Sequence, residues 1–284
     1  MLINGKKKVC CLETTFFYVF GNLRFCTIVF LEFFLILCYS QKKNSKHKRN
    51  DMDYVAELEK DVRFQEALHS CLNCGVCCAI CPAAEFYKYD PRMIVTIVQR
   101  RDNEEIEHLL KSNLIWYCGQ CMSCKTRCPR GNAAGMIIQA LRTLSQKCGF
   151  FTESEKGRQQ YGLKKTIGES ILKYGYCVHP VLVKPELHPE QGVIWEWAYE
   201  NREALYDRLG ANLYKDGAGA MRKIHQKNLD ELAEIFRVTG GQDFYDAIES
   251  ASQKKAEEMN MSTDENNNEY LMHVLTYNSN QHQD

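Results

Sequence analysis

From Asp53 onward apolar and polar positions recur at helical spacing. Val55, Leu58, Val62 and the pair Ala67 and Leu68 fall near one face, with Asp51 or Asp53 placed as the cap. A second helix is predicted at Asp90-Pro91, where a capping carboxylate precedes a first-turn proline and Met93, Ile94, Ile97 and Val98 form the apolar stripe. Ile106, Leu109 and Leu110 mark a third helix over residues 103–111. Ala133, Met136, Ile137, Ala140, Leu141 and Leu144 mark a fourth over 132–147, ended by Gly149. No strand-like alternation occurs in residues 53–149. Beyond them a short helix is predicted over 164–174, stopped by Gly175, then a loop with three prolines over 179–192. Amphipathic helices come next over 195–209 and 228–238, the latter stopped by Gly240-Gly241. From Ser262 the chain turns to Asn, Gln, Asp and Glu, and this tail is expected to be disordered despite the apolar residues in 271–277. The expected fold class is therefore all-α.

The cysteines change the picture. Eight of the 15 form one run written twice: Cys71-x2-Cys74-x2-Cys77-x3-Cys81-Pro82 and Cys118-x2-Cys121-x2-Cys124-x3-Cys128-Pro129. This is the bacterial ferredoxin spacing for [4Fe-4S] clusters, in which the fourth cysteine ligates the cluster of the other run. Three cysteines two residues apart let a tight turn wrap one corner of the cluster, and the fourth ligand comes from elsewhere. On that logic cluster I takes Cys71, Cys74, Cys77 and Cys128, and cluster II takes Cys118, Cys121, Cys124 and Cys81. Each cluster then staples both halves of the domain, and metal-binding free energy becomes folding free energy. Gly75 and Gly119 are expected where the turns need a missing Cβ, and Pro82 and Pro129 to open the segments after them. A zinc ribbon uses C-x2-C pairs and has no need of the third and fourth cysteines, and a disulfide framework needs an oxidising compartment.

Seven further cysteines (Cys10, Cys11, Cys26, Cys38, Cys78, Cys148 and Cys177) show no second spacing. Cys78 directly follows a ligand, yet shifting the register onto it destroys the repeat, so a small buried side chain is expected there.

Net charge is zero but unevenly spread. Residues 1–51 hold nine Lys or Arg against three acids, which leaves residues 52–284 at a formal −6 and argues against a nucleic-acid partner. Residues 14–40 are strongly apolar but interrupted by Arg24 and Glu32, which makes them a marginal membrane segment. Three readings of residues 1–51 stay open: a start assigned too early, with Met52 as the true one; a weak membrane anchor; or a buried or disordered tail. The basic tract 42–49 would keep the chain downstream of it in the cytoplasm in each case.

Helix, cluster run, helical insert of 36 residues, cluster run, helix: this order resembles the α-helical ferredoxin domains of succinate dehydrogenase, anaerobic glycerol-3-phosphate dehydrogenase and heterodisulfide reductase. Two complete runs, a small helical lead-in and no plant-type [2Fe-2S] spacing make the C subunit of heterodisulfide reductase the best match. The cysteine-rich CCG motif of B-type subunits is missing, since the adjacent cysteine pairs are Cys10-Cys11 and Cys77-Cys78. The resemblance covers roughly residues 53–150. It implies an electron-transfer subunit, not an enzyme on its own, relaying single electrons through two [4Fe-4S] clusters. The implied partners are a B-type catalytic subunit and an A-type flavoprotein. The rival reading is the iron-sulfur subunit of a membrane-anchored, quinone-linked dehydrogenase, with residues 14–40 as anchor.

The expected domains are thus an N-terminal segment over 1–51, the dicluster domain over 52–150, a helical extension over 151–260 that docks on a partner, and a tail over 261–284. No catalytic residue is expected. His179 and His188, which bracket the proline loop, are expected to be solvated or hydrogen-bonded. Trp195, Trp197 and Tyr199 suit either an interface anchor or core packing. Asp216-Gly217-Ala218-Gly219 lacks a phosphate-loop pattern and is expected to be a turn. Lys125 and Arg127, between ligands, are expected to be solvated, with a role in tuning potential or meeting an acidic partner as the sharper alternative.

Overall fold

The computed structural model describes residues 52–264 and 267–276; residues 1–51, with all three readings made of them, lie outside it. Among the described residues the chain is helical, and the single β feature is a bridge between Asp264 and Asn267. The lead-in is two short helices, α1 (Tyr54–Glu59) and α2 (Val62–Ala67). Asp53 caps the first by accepting from the Ala56 N–H, and Asp61 starts the second by accepting from the Arg63 N–H. That second cap breaks the expected single helix and resets its register. Val62 is left exposed, while Tyr54, Leu58, Phe64 and Ala67 are buried.

Two short segments, α3 (Val76–Ala79) and α4 (Ala83–Phe86), come after the first cysteines. Then come α5 (Pro91–Arg100), capped by Asp90 as its cap signal predicts, and α6 (Asn103–Lys111), capped by Asp102. The second run carries α7 (Ser123–Arg127), and α8 (Ala134–Lys147) is the central helix. Ile137, Ile138 and Leu141 of α8 meet Ile94, Val98, Ile106, Leu110 and Ile115 in one core with the lead-in residues. The Ala133 N–H bonds the Ala67 carbonyl and the His69 N–H bonds Asn132 Oδ1, which ties the entry of the first run to the exit of the second.

The first helix of the extension comes earlier than predicted, as α9 (Glu155–Leu163), and passes through a π turn (Lys164–Gly168) into α10 (Glu169–Tyr174). The π turn sets Lys164 and Lys165 side by side, and both pair with Glu249. Burial alone would raise the Glu249 carboxyl, but the two ammonium groups outweigh it and hold it below its ordinary range. Gly168 is required there because the Tyr245 ring fills the space a Cβ would take. The predicted 195–209 helix is two, α11 (Val193–Glu200) and α12 (Arg202–Arg208). After α13 (Gln226–Val238), Thr239 and Gly240, the latter in the left-handed region, interrupt the helix for two residues, and α14 (Gly241–Glu258) begins at once. Helix α14 packs on α8, so residues from Asp53 onward form one compact unit with no division at 150.

The expectation of a disordered tail is corrected. Residues Glu269–Thr276 form α15, and Tyr270 and Val274 pack against Tyr161 and Ala256 in a second small core. The Tyr161 and Tyr270 rings lie 5.4 Å apart, and the Asn268 amide donates to the Tyr161 hydroxyl at 3.1 Å. The polar stretch before it hid this, since Tyr270 and Val274 suffice as anchors when α9 and α14 supply the receiving surface. Tyr270→Ala is expected to destabilise the protein by about 3 kcal/mol. A denaturation midpoint indistinguishable from the parent would show that α15 is not docked.

Candidate cluster-binding site

The two cysteine runs fold alike, residue for residue. Asn73 and Gly75 in the first and Gln120 and Met122 in the second take the left-handed conformation, with φ of 56°, 78°, 55° and 59°. In each run the residue two past the first cysteine turns its N–H back to that thiol, Asn73 to Cys71 Sγ at 3.3 Å and Gln120 to Cys118 Sγ at 3.4 Å. The turn then passes into α3 or α7, which carries the third cysteine. Gly119 has an ordinary φ and open space where a Cβ would go, so the expectation that it serves the turn is corrected. Its equivalent in the first run is Leu72, and the position that needs the left-handed conformation falls at Gly75 and Met122. Gly75→Ala is expected to cost about 1 kcal/mol of holoprotein stability, measured as the denaturation midpoint under anaerobic conditions.

The thiols gather across the runs. Cys71, Cys74, Cys77 and Cys128 line one cavity together with Arg92, Arg130 and Asn132. Cys81, Cys118, Cys121 and Cys124 line a second, walled by Tyr87, Tyr89 and Tyr117, and Cys77 borders it as well. The Tyr87 and Tyr117 rings stack at 4.3 Å, and Tyr89 meets Tyr117 edge-on at 6.3 Å. Cys74 and Cys121 are the exposed members of the two sets. Burial raises the Cys77 and Cys124 thiols above their usual range.

Cys78 lines neither cavity, though its thiol lies 4.0 Å from Cys77 Sγ. Its thiol donates to Asp90 Oδ1 at 2.7 Å, and burial first, then this bond, pushes it up to about 12. Asp90 also caps α5 and pairs with Arg92 at 2.9 Å. The bonds from Cys78 and Arg92 outweigh its own burial and keep its carboxyl low. A protonated thiol engaged in this way braces the start of α5. Lys125 and Arg127 are exposed.

Residues 67–132 match the family model described as the 4Fe-4S dicluster domain. Residues 67–132 are a dicluster domain. Among curated proteins, the C subunit of the ferredoxin:CoB-CoM heterodisulfide reductase of Methanosarcina acetivorans is 37% identical over 122 residues, 40% of this chain and 48% of that protein. The iron-sulfur C subunit of the CoB-CoM heterodisulfide reductase of Methanopyrus kandleri is 30% identical over 132 residues, 44% of this chain and 62% of that protein. Another iron-sulfur C subunit of this reductase, from Methanocaldococcus jannaschii, is 29% identical over 133 residues, 46% of this chain and 64% of that protein. The chain thus spans about half to under two thirds of the length of these relatives, and it resembles heterodisulfide reductase C subunits over that region.

The residues of the dicluster domain fit two [4Fe-4S] clusters. Beside each set of four thiols lies one buried polar group: the Asn132 side-chain N–H2 in the first cavity and the Tyr89 hydroxyl in the second. Both are donors, suited to sulfide or thiolate sulfur. Arg142 on α8 braces the second cavity from behind, its Nε donating to the Ile115 carbonyl at 2.6 Å and a terminal nitrogen to the Cys118 carbonyl at 2.7 Å. The Gly135 N–H reaches Cys124 Sγ at 3.4 Å, and Met122 Sδ fills the space beside Gly135. The cysteine spacing signals none of these supports of the dicluster domain. Arg142 alone left a trace, as a cation embedded between the apolar Leu141 and Leu144.

The histidine and aromatic candidates outside the dicluster domain separate. His179 is 3% exposed, stacked on Tyr174 at 3.9 Å, with Nδ1 accepting the Val181 N–H, so the solvated alternative does not hold for it. Burial and the Lys173 ammonium lower its pKa. Trp195 Nε1 donates to the Val183 carbonyl and the Tyr199 hydroxyl to the Val181 carbonyl, so both pin the proline loop, while Trp197 faces outward. Residues 216–219 form a turn held by the Asn212 amide, which donates to the Asp216 and Ala218 carbonyls. No helix among the described residues is long and apolar enough to cross a membrane.

Proposed function

We propose that this chain is the electron-transfer iron-sulfur subunit of a heterodisulfide-reductase-like complex. It relays single electrons through two [4Fe-4S] clusters, one held by Cys71, Cys74, Cys77 and Cys128 and the other by Cys81, Cys118, Cys121 and Cys124. The observation that supports the reading is the lining of the two cavities: Cys71, Cys74, Cys77 and Cys128 at the first, and Cys81, Cys118, Cys121 and Cys124, with Cys77 at the border, at the second.

The clusters supply one-electron redox chemistry when bound. The protein supplies thiolates and sets their surroundings. Backbone N–H groups of Asn73, Gln120 and Gly135 aim at the ligand sulfurs, where they favour added negative charge. Cys77 borders both cavities and shortens the path between them. Cys74 and Cys121 are exposed edges at which a donor or acceptor can approach.

The partners in this reading are a B-type catalytic subunit and an A-type flavoprotein subunit, in keeping with the complexes named for the relatives. The chain has no substrate chemistry of its own, so activity belongs to the assembly. The outward faces of Val193, Ile194 and Trp197 on α11 support the extension as a docking arm, since aromatic and aliphatic anchors dominate such contacts. The basic tract 42–49 supports a cytoplasmic setting.

The test is anaerobic purification of the full chain, iron and sulfide analysis, and EPR of the dithionite-reduced protein. About eight iron and eight sulfide per chain, with the broadened signal of two interacting S = ½ centres, is expected. Zinc, or a single cluster, would sink the relay.

A further inference from the structure

We infer that the second cavity holds the cluster of higher reduction potential, because Arg142 and Tyr89 surround it with an uncompensated cation and a hydroxyl donor. Reducing electrons therefore come to rest there. This deepens the proposed function and rests on its two ligand sets.

Both clusters have four thiolate ligands in near-identical turns, so cluster type and first ligands cancel between them. So do the matching N–H bonds of Asn73 to Cys71 and Gln120 to Cys118. What differs is the charge and the donors behind the ligands, two of the terms that set such potentials. At the first cavity the nearby cation, Arg92, is neutralised by Asp90 at 2.9 Å, and Asp90 is itself held ionised. Arg130 lies exposed on the rim, where solvent screens it, and donates to the Ser70 carbonyl. The Asn132 amide adds one neutral donor.

At the second cavity Arg142 is only partly exposed and bonds only to carbonyl oxygens, with no carboxylate in ion-pair range among the described residues. An arginine stays charged even under such burial. Its field at Cys118 is weakly screened and stabilises an electron added nearby. The Tyr89 hydroxyl is buried in the wall of the second cavity beside Cys118 and Cys81, placed to donate to a ligand sulfur there. The Gly135 N–H to Cys124 adds a further bond on the same side. With both clusters bound, Arg142 and Tyr89 would favour an electron at the second site, the first being oxidised as the second is reduced, with no bond broken and no proton moved.

The test is an EPR-monitored redox titration of the full chain and of Arg142→Gln, Arg142→Lys and Tyr89→Phe, each with iron and sulfide analysis. In Arg142→Gln the higher midpoint is expected to fall by about tenfold in the reduction equilibrium, ~59 mV for a one-electron couple, while the lower midpoint stays. Tyr89→Phe lowers the same midpoint by a smaller step, and Arg142→Lys, which keeps the charge, leaves it near the parent value. Should Arg142→Gln lose iron, Tyr89→Phe decides, since it removes a single oxygen. Midpoints unchanged at full iron content, or a shift confined to the lower one, would overturn the inference. A parent protein without about eight iron would instead refute the dicluster reading.

Discussion

The Cys128→Ser protein is expected to lose the cluster of the run that does not contain it. Cys128 belongs to the second run by sequence, yet its side chain lines the cavity of Cys71, Cys74 and Cys77. The second cavity keeps Cys81, Cys118, Cys121 and Cys124. Iron content should fall from about eight to about four per chain, and the remaining cluster should give a simple EPR signal without interaction broadening. Cys81→Ser should mirror it, emptying the second cavity while the first stays loaded. A Cys128→Ser protein whose surviving cluster is lost on further replacement of Cys74, and kept on replacement of Cys121, would show that each run serves itself.

Stripping both clusters by oxidation and chelation should cost on the order of 10 kcal/mol, enough to abolish cooperative unfolding of a domain of ordinary stability. The segments that carry the cysteines cannot stand alone. Helices α3 and α7 have four and five residues and bury none of them, far short of the length at which isolated helices persist. Hydrogen exchange should show protection vanishing first in residues 71–82 and 118–129. An apoprotein with the thermal midpoint of the holoprotein would mean that the core around Ile137 and Leu141 suffices by itself.

The site was far more legible in the sequence than its supports. Cysteine spacing is a local code for a local turn, so the two runs and their like turns could be read before any fold was known. The Asp90 cap was equally local, and α5 begins where it implies. Legibility failed where a local signal competed with a tertiary one. Glycine at 119 looked like a turn residue, but the left-handed position falls on Met122, whose side chain fills the space beside Gly135 and compensates the backbone cost. Asp61, not recognised as a cap, broke the lead-in helix. The Gly240-Gly241 pair does end α13 as read, but the 18-residue α14 after it went unrecognised because it draws its stability from α8 and α13. Tyr89, Asn132 and Arg142 are invisible to any spacing rule, since their roles arise only when segments far apart in the chain meet around a cavity.

Helix α8 touches the second cavity through Gly135 and Arg142 and bears α14 of the extension along its length. One extra residue inside it would advance everything downstream by about 1.5 Å and swing it by about 100°. The Cys118 brace and the seat for α14 would then face different directions. Residues 134–147 therefore act as a ruler whose length cannot drift. Natural insertions and deletions should gather in the proline loop and in residues 210–225, and any graft of this domain onto another protein should leave that helix uncut.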